Sequence, residues 1–307
     1  MPAYLERRQS WAALWCQRLA VFLLFYFLVT IAGQRWGVID TPSVLGLIAL
    51  GLVLLLATLG LGVIGMYHLW EFGHKGGMQS VRGIALASLM LIPFGWAGWQ
   101  AFNLPTLNDI TTDRFTPPEF DQALKLRTEK MNVLDDLSDL ELETQAVSYP
   151  HIGSRRYTTS TDRVYSAAKK LIEARGWKII GEEVPEEIDL IDIEGSANAK
   201  PPQISVTTPK PKPEVPIVPV AGAGSLPAID NAGGGVNVTY IEAVATTMIM
   251  RFTDDVVVRI IEEEGGALVD MRSSSRWGVH DLGGNARRIA QFMRDLDAAL
   301  IGVAGEG

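Results

Sequence analysis

Residues 45–70, LGLIALGLVLLLATLGLGVIGMYHLW, contain no aspartate, glutamate, lysine or arginine. An apolar helix of that length has no polar face to turn toward water, and roughly 20 helical residues are what a bilayer crossing requires. Two comparable stretches flank it, residues 11–33 and 81–102. A cleaved signal peptide has a short apolar core and is not followed by two further full-length runs. The sequence therefore predicts three transmembrane helices within residues 1–103, each satisfying its own backbone because lipid offers no hydrogen-bond partners.

Loop charge orients these helices. Arg7, Arg8 and Arg18 precede or open the first, Lys75 and Arg82 lie around the start of the third, and Arg35 stands alone between the first and second. Positive charge is retained in the cytoplasm, so the N-terminus and the second loop are expected there. Everything after Asn103 then lies on the opposite side, which in a bacterium is the periplasm. The expected location is the bacterial inner membrane, multi-pass, with the lipid bilayer as the first partner. Trp11, Trp15, Trp36, Trp70, Trp96 and Trp99 fall near the predicted span ends, where interfacial anchors belong. Glycines 46, 51, 60, 62 and 65 give the second span a small-residue character that suits close helix packing, though membrane composition alone also accounts for it.

Charge divides the chain in two. Residues 1–103 carry six basic and three acidic side chains, leaving 21 basic and 32 acidic for residues 104–307. A part with a formal charge of −11 repels phosphate backbones, which excludes nucleic acid as an expected partner. The one cysteine, Cys16, permits no intrachain disulfide and no cysteine-based metal centre.

Residues 104–148 are expected to be a connector, extended over the proline- and threonine-rich LPTLNDITTDRFTPPEF and partly helical and solvated over 121–145. Compact structure is expected from Tyr149 to residue 300, with residues 301–307 as a tail. Ser160 or Thr161 can cap a helix in which Val164, Ala167, Ala168, Leu171 and Ile172 recur at helical spacing, closed by Arg175 and Gly176. A strand follows at 177–181. Residues 182–235 turn acidic, then proline-rich, then glycine-rich, and are expected to form a flexible insertion. Strands return at 238–247, 254–261 and 267–274, the last two joined at Glu264-Gly265-Gly266, a hairpin signal. A final helix begins near Asp281 and carries the stripe Ile289, Phe292, Met293, Leu296 and Leu300. The predicted fold is α+β: three N-terminal transmembrane helices, then a small antiparallel sheet with two helices packed on one face.

The stretch DMRSSSRWGVHDLGGNARRI resembles the membrane-associated bacterial family called domain of unknown function 1499. LNDITTD at 107–113, YPHIGSRRY at 149–157, GWKI at 176–179, IEAVATT at 241–247 and FTDDVVVRI at 252–260 extend the resemblance over most of residues 104–300. The insertion at 182–235 is longer than that pattern leads one to expect. The resemblance implies a shared fold and a functional surface, and brings no activity with it.

The best cluster of chemistry-bearing residues is Arg272, Ser274, Arg276, Asn285 and Arg288, with Asp281 beside them and Asp254 and Asp255 on the neighbouring strand. Strand alternation puts Arg272, Ser274 and Arg276 on one face, and Asn285 and Arg288 lie three apart on one helix side. Such a set could hold an anionic headgroup or carboxylate, since arginine presents a forked donor. The structural alternative has Asp281 capping the helix and the arginines paired with Asp254, Asp255 or Asp270. Catalytic templates fail: His151 and His280 are the only histidines after residue 103, no serine sits in a nucleophile motif, and no phosphate or dinucleotide loop occurs. No cofactor, metal or catalytic residue is assigned. Two functions remain: an envelope factor whose periplasmic domain binds or scaffolds an envelope protein or anionic ligand, and an enzyme of unrecognised mechanism using the Asp/Arg/Asn cluster.

Overall fold

Three long helices fill the first hundred residues of the computed structural model, which describes residues 7–185 and 237–304. They are α1 (Trp11–Arg35), α2 (Thr41–Phe72) and α3 (Gly77–Asn103), each long and apolar enough to cross a membrane. Ser10 caps α1 through its hydroxyl, Asp40 caps α2, and Gly73, in the left-handed region at φ 61°, ends α2. The six tryptophans named above are exposed on this bundle, Trp36 and Trp70 most of all.

The glycines of α2 divide by environment. A side chain at Gly65 would begin 3.0 Å from the Ala13 backbone, and one at Gly51 would meet the Phe27 ring, whereas nothing lies near Gly46 or Gly60. Gly83 of α3 receives Cys16 in the same way, its absent side chain replaced by the Cys16 backbone at 2.9 Å. Close packing therefore belongs to part of the glycine set.

After α3 come β1 (Asp109–Thr111), α4 (Gln122–Leu126), α5 (Asp139–Ser148), β2 (Arg155–Tyr157), α6 (Thr161–Ala174), β3 (Lys178–Glu183), β4 (Val238–Thr246), β5 (Thr253–Glu263), β6 (Gly266–Ser275) and α7 (Gly284–Ala304). The sheet is antiparallel in the order β1-β6-β5-β4-β3, and β2 shares the β6 edge with β1. Gly266 faces the Tyr157 carbonyl so closely that no side chain fits, which fixes the β2 edge. Helices α6 and α7 cover one face. Val164, Ala168 and Ile172 of α6 and Ile289, Phe292 and Leu296 of α7 meet Ile241, Val256, Val258, Ile260, Val269 and Met271 of the sheet. Trp177 stacks on Phe292 with ring centroids 5.9 Å apart.

The segment after α3 departs from the expected solvated connector. Leu107 and Ile110 are buried in the main core, β1 is a strand of the sheet, and Phe120 and Ala123 pack on Val257 over the sheet's second face. Instead of one poorly periodic helix, two short ones form, α5 opening with a complete Ser138/Glu141 capping box. Compact structure begins at Leu107 rather than near Tyr149. At the other end α7 continues to Ala304, into the expected tail. The insertion expected at 182–235 lies, from residue 186, outside the described residues.

The helix contacts predict a contrast among glycine substitutions. Gly65→Val and Gly83→Val should each destabilise the bundle by about 1–3 kcal/mol through overpacking, and Gly60→Val should leave it unchanged. Thermal unfolding of the purified full chain in detergent measures the difference.

Candidate functional site

Strand β5 is buried on both faces from Asp254 to Ile261, so its polar side chains must find partners inside the protein. Val256, Val258 and Ile260 point to α6 and α7, which leaves Asp255, Val257 and Arg259 on the second face. On β6 the same alternation sends Val269 and Met271 to the helices and Asp270, Arg272 and Ser274 to the second face, with Arg276 continuing the row.

Residues 109–135 lie over this second face and complete an ionic layer. Arg272 forks onto Asp109, with Nε 3.0 Å and Nη2 3.1 Å from the two carboxylate oxygens. Its remaining donors reach the carbonyls of Pro118 and Asp135, and its guanidinium lies over the Phe120 ring. Arg259 donates to both Asp113 and Asp270. Asp255, with no exposed surface, accepts from Arg276 on one side and from Arg127 on the other at 2.7 Å. Four arginines thus face four aspartates, and the layer is formally neutral. Beside the layer, Glu242 of β4 accepts from the amides of Asp121, Gln122 and Ala123 at the start of α4.

The expected cluster is divided by the sheet. Arg272, Ser274 and Arg276 belong to the ionic layer, Ser274 opposite Asp109 and with its carbonyl accepting from Arg127. Asn285, Arg288 and Asp254 lie on the helix-covered face. There the Asn285 amide donates to Ser275 Oγ and the Asn108 carbonyl, its oxygen accepts from Ser273, and Arg288 bonds Ser273 and pairs with Asp254. The two sets do not converge on one ligand. Arg288 borders an open depression of about 340 Å³, shared with Arg175, Trp177, Gly284, Arg287 and Gln291. Asp281 accepts from the amides of Gly283 and Asn285 at the start of α7. Burial raises its carboxyl above the usual aspartate range against the pull of those two amides.

Sequence reasoning missed Asp109, Asp113, Arg127, Glu242 and Arg259. The hairpin register offered one signal: pairing Glu263 with Gly266 sets Arg259 directly opposite Asp270. Among the described residues no group of histidine, cysteine and carboxylate side chains is arranged to hold a metal ion.

Removing one member of this layer strands the others. Asp255→Ala, which leaves Arg127 and Arg276 buried without a counter-charge, should cost about 3–5 kcal/mol. Asp121→Ala, which breaks the exposed pair with Lys125, should cost under about 1 kcal/mol. Denaturant unfolding of the full chain in detergent separates the two. Asp113 supplies a pH signature. Burial opposes its ionised form, but the Thr116 hydroxyl, the Phe115 and Thr116 amides and Arg259 together outweigh that and hold its carboxyl below the usual range. Its contribution is complete above the unfolded value of about 3.9 and is lost as pH falls through the lower folded value. Stability of Asp113→Asn should therefore fall less steeply than the parent's on acidification below about pH 4.

The pattern of a known family coincides with this architecture. A family model matches residues 109–296, from the first residue of β1 into α7, and so includes the segment that supplies Asp109, Asp113 and Arg127. No curated protein and no solved structure gives a significant match to the chain. The match covers more than half of the sequence, and the chain belongs to the family described as protein of unknown function (DUF1499).

Proposed function

We propose that this protein is a non-enzymatic factor of the bacterial inner membrane, whose three-helix anchor holds an α+β binding or scaffolding domain on the periplasmic face. The observation that carries this reading is the internal use of the polar cluster. Arg127, Arg259, Arg272 and Arg276 are each bonded to aspartate beneath residues 109–135, so the donors that could have received a ligand serve the fold. Recognition then falls to the surface of the domain. Leu140 and Val147, seven apart and thus on one side of α5, are 73% and 78% exposed and offer such a surface. The periplasmic assignment rests on the loop arginines and lysine at the ends of α1 and α3.

Sidedness and binding are tested separately, both in a Cys16→Ser background. Glu264→Cys in the β5–β6 turn should react with a membrane-impermeant maleimide in intact spheroplasts. Glu71→Cys at the far end of α2 should react only after lysis. The reverse pattern would sink the periplasmic assignment. A photo-crosslinking side chain placed at Leu140 and at Val147 should trap the same envelope component in membranes. The absence of any adduct at both positions would remove the binding role from this face.

A further inference from the structure

Five residues, 104–108, join the end of α3 to β1. That tether spans at most about 20 Å, so whichever end of the sheet receives it must stay beside the membrane. β1 pairs with Arg272–Ser274, the last part of β6, and Asp254 at the start of β5 lies opposite Ser275. The β4–β5 turn and the β6–α7 loop are therefore at the membrane end, and the β5–β6 turn at Glu264 is at the far end. The β6–α7 loop is bound to the tether directly: the Asp281 amide donates to the Leu107 carbonyl and the Asn108 side chain to that of Gly278.

These loops expose large apolar side chains. Met248 is 87% exposed, Ile249 65% and Val279 76%. The β4–β5 turn is not a loose loop. The Thr247 amide donates to the Phe252 carbonyl, its carbonyl accepts from Arg251 and its hydroxyl from the Phe252 amide. Arg251 completes the closure in the left-handed region at φ 51°. A fixed turn thus displays two large apolar side chains at the end of a domain that is otherwise strongly acidic. Arg35, at the end of α1 where the span leaves the lipid, donates to the Met248 carbonyl at 2.8 Å. A contact from the mouth of a membrane helix sets the turn at the level of the bilayer surface.

We infer that the β4–β5 turn is an interfacial anchor, with Met248 and Ile249 dipping into the headgroup–acyl boundary of the leaflet from which α3 emerges. The occupant of this apolar tip is lipid rather than a second protein, because the tether and the Arg35 bond leave it beside the bilayer. Exposed Arg251 lies next to it at headgroup height, where a guanidinium can bond lipid phosphate. Val279 of the neighbouring loop widens the contact. This docking holds on whichever face of the membrane the domain lies, so it stands or falls apart from the periplasmic assignment.

Depth-dependent fluorescence quenching tests it on the full chain. In the Cys16→Ser background, Ile249→Cys, Met248→Cys and the far-end Glu264→Cys are each labelled with nitrobenzoxadiazole. They are then reconstituted into nanodiscs of phosphatidylethanolamine and phosphatidylglycerol. The labels at 248 and 249 should emit to the blue of that at 264. Lipids spin-labelled near the top of the acyl chain should quench them at least twofold more strongly. Emission at both positions equal to that at 264 would overturn the proposal by showing a tip in water. A blue shift without lipid quenching would overturn it equally, by showing a tip covered by protein. Thermal unfolding in detergent should match the parent's, since both side chains are exposed in the fold.

Discussion

Asp255 holds the domain together at the point where three separate parts of the chain must agree. It comes from β5, Arg276 follows β6, and Arg127 follows α4, and all three side chains lie almost wholly out of water. Stripping a carboxylate and two guanidinium groups of hydration costs several kcal/mol per ion, so the site is tolerable only when all its bonds form together. Ionic layers of this kind are poor sources of net stability and good sources of exclusivity. A sheet face made of Val257 alone would accept many coverings. A face presenting Asp255, Arg259, Asp270 and Arg272 accepts the one segment whose Asp109, Asp113 and Arg127 fall opposite them.

That requirement ties the anchor to the domain. The covering segment starts within five residues of α3, and its first element, β1, is already a strand of the sheet. Membrane helices and soluble fold are thus joined through a structural edge rather than through a flexible leash. The sheet axis is consequently constrained relative to the bilayer, one end near and one far. An ordinary linker of the length first expected, residues 104–148, would have left the domain free to turn.

Local pattern reported well on everything whose stabilisation is local. The spans, the helices at 161–174 and 284–304, the three long strands and the hairpin at Gly265 follow from unbroken apolar runs, helical and strand periods and a turn signal. Residues 109–135 failed that kind of reading because their apolar content is sparse and their bonds to the sheet's charged side chains span 119–163 positions in sequence, from Ala123–Glu242 to Asp109–Arg272. A long-range ion pair has no period and no composition. The candidate cluster was misjudged for a related reason. Arg272, Arg276 and Arg288 were each recognisable as polar residues in buried elements, but nothing in their spacing told which side of the sheet α7 would cover. With α7 on the Val269 and Met271 face, Asn285 and Arg288 were separated from Arg272 by the thickness of the sheet.

The internal pairing of these arginines has a consequence for the charge that is left. Since the four arginines of the layer balance four aspartates, and Arg288 balances Asp254, none of the formal charge of −11 on residues 104–307 comes from these pairs. A bilayer containing anionic lipid repels such a body over a distance of about a Debye length, roughly 8 Å at physiological salt. Electrostatics alone would lift the domain away to the limit of its tether. Holding it down therefore calls for a short-range force that acts at the near end and is indifferent to the overall field. An apolar tip flanked by arginine meets that condition: burial of Met248 and Ile249 scales with area and not with charge, while Arg35 and Arg251 lower the local repulsion where the two surfaces meet. The acidic composition of residues 104–307 thus makes the composition of the β4–β5 turn intelligible.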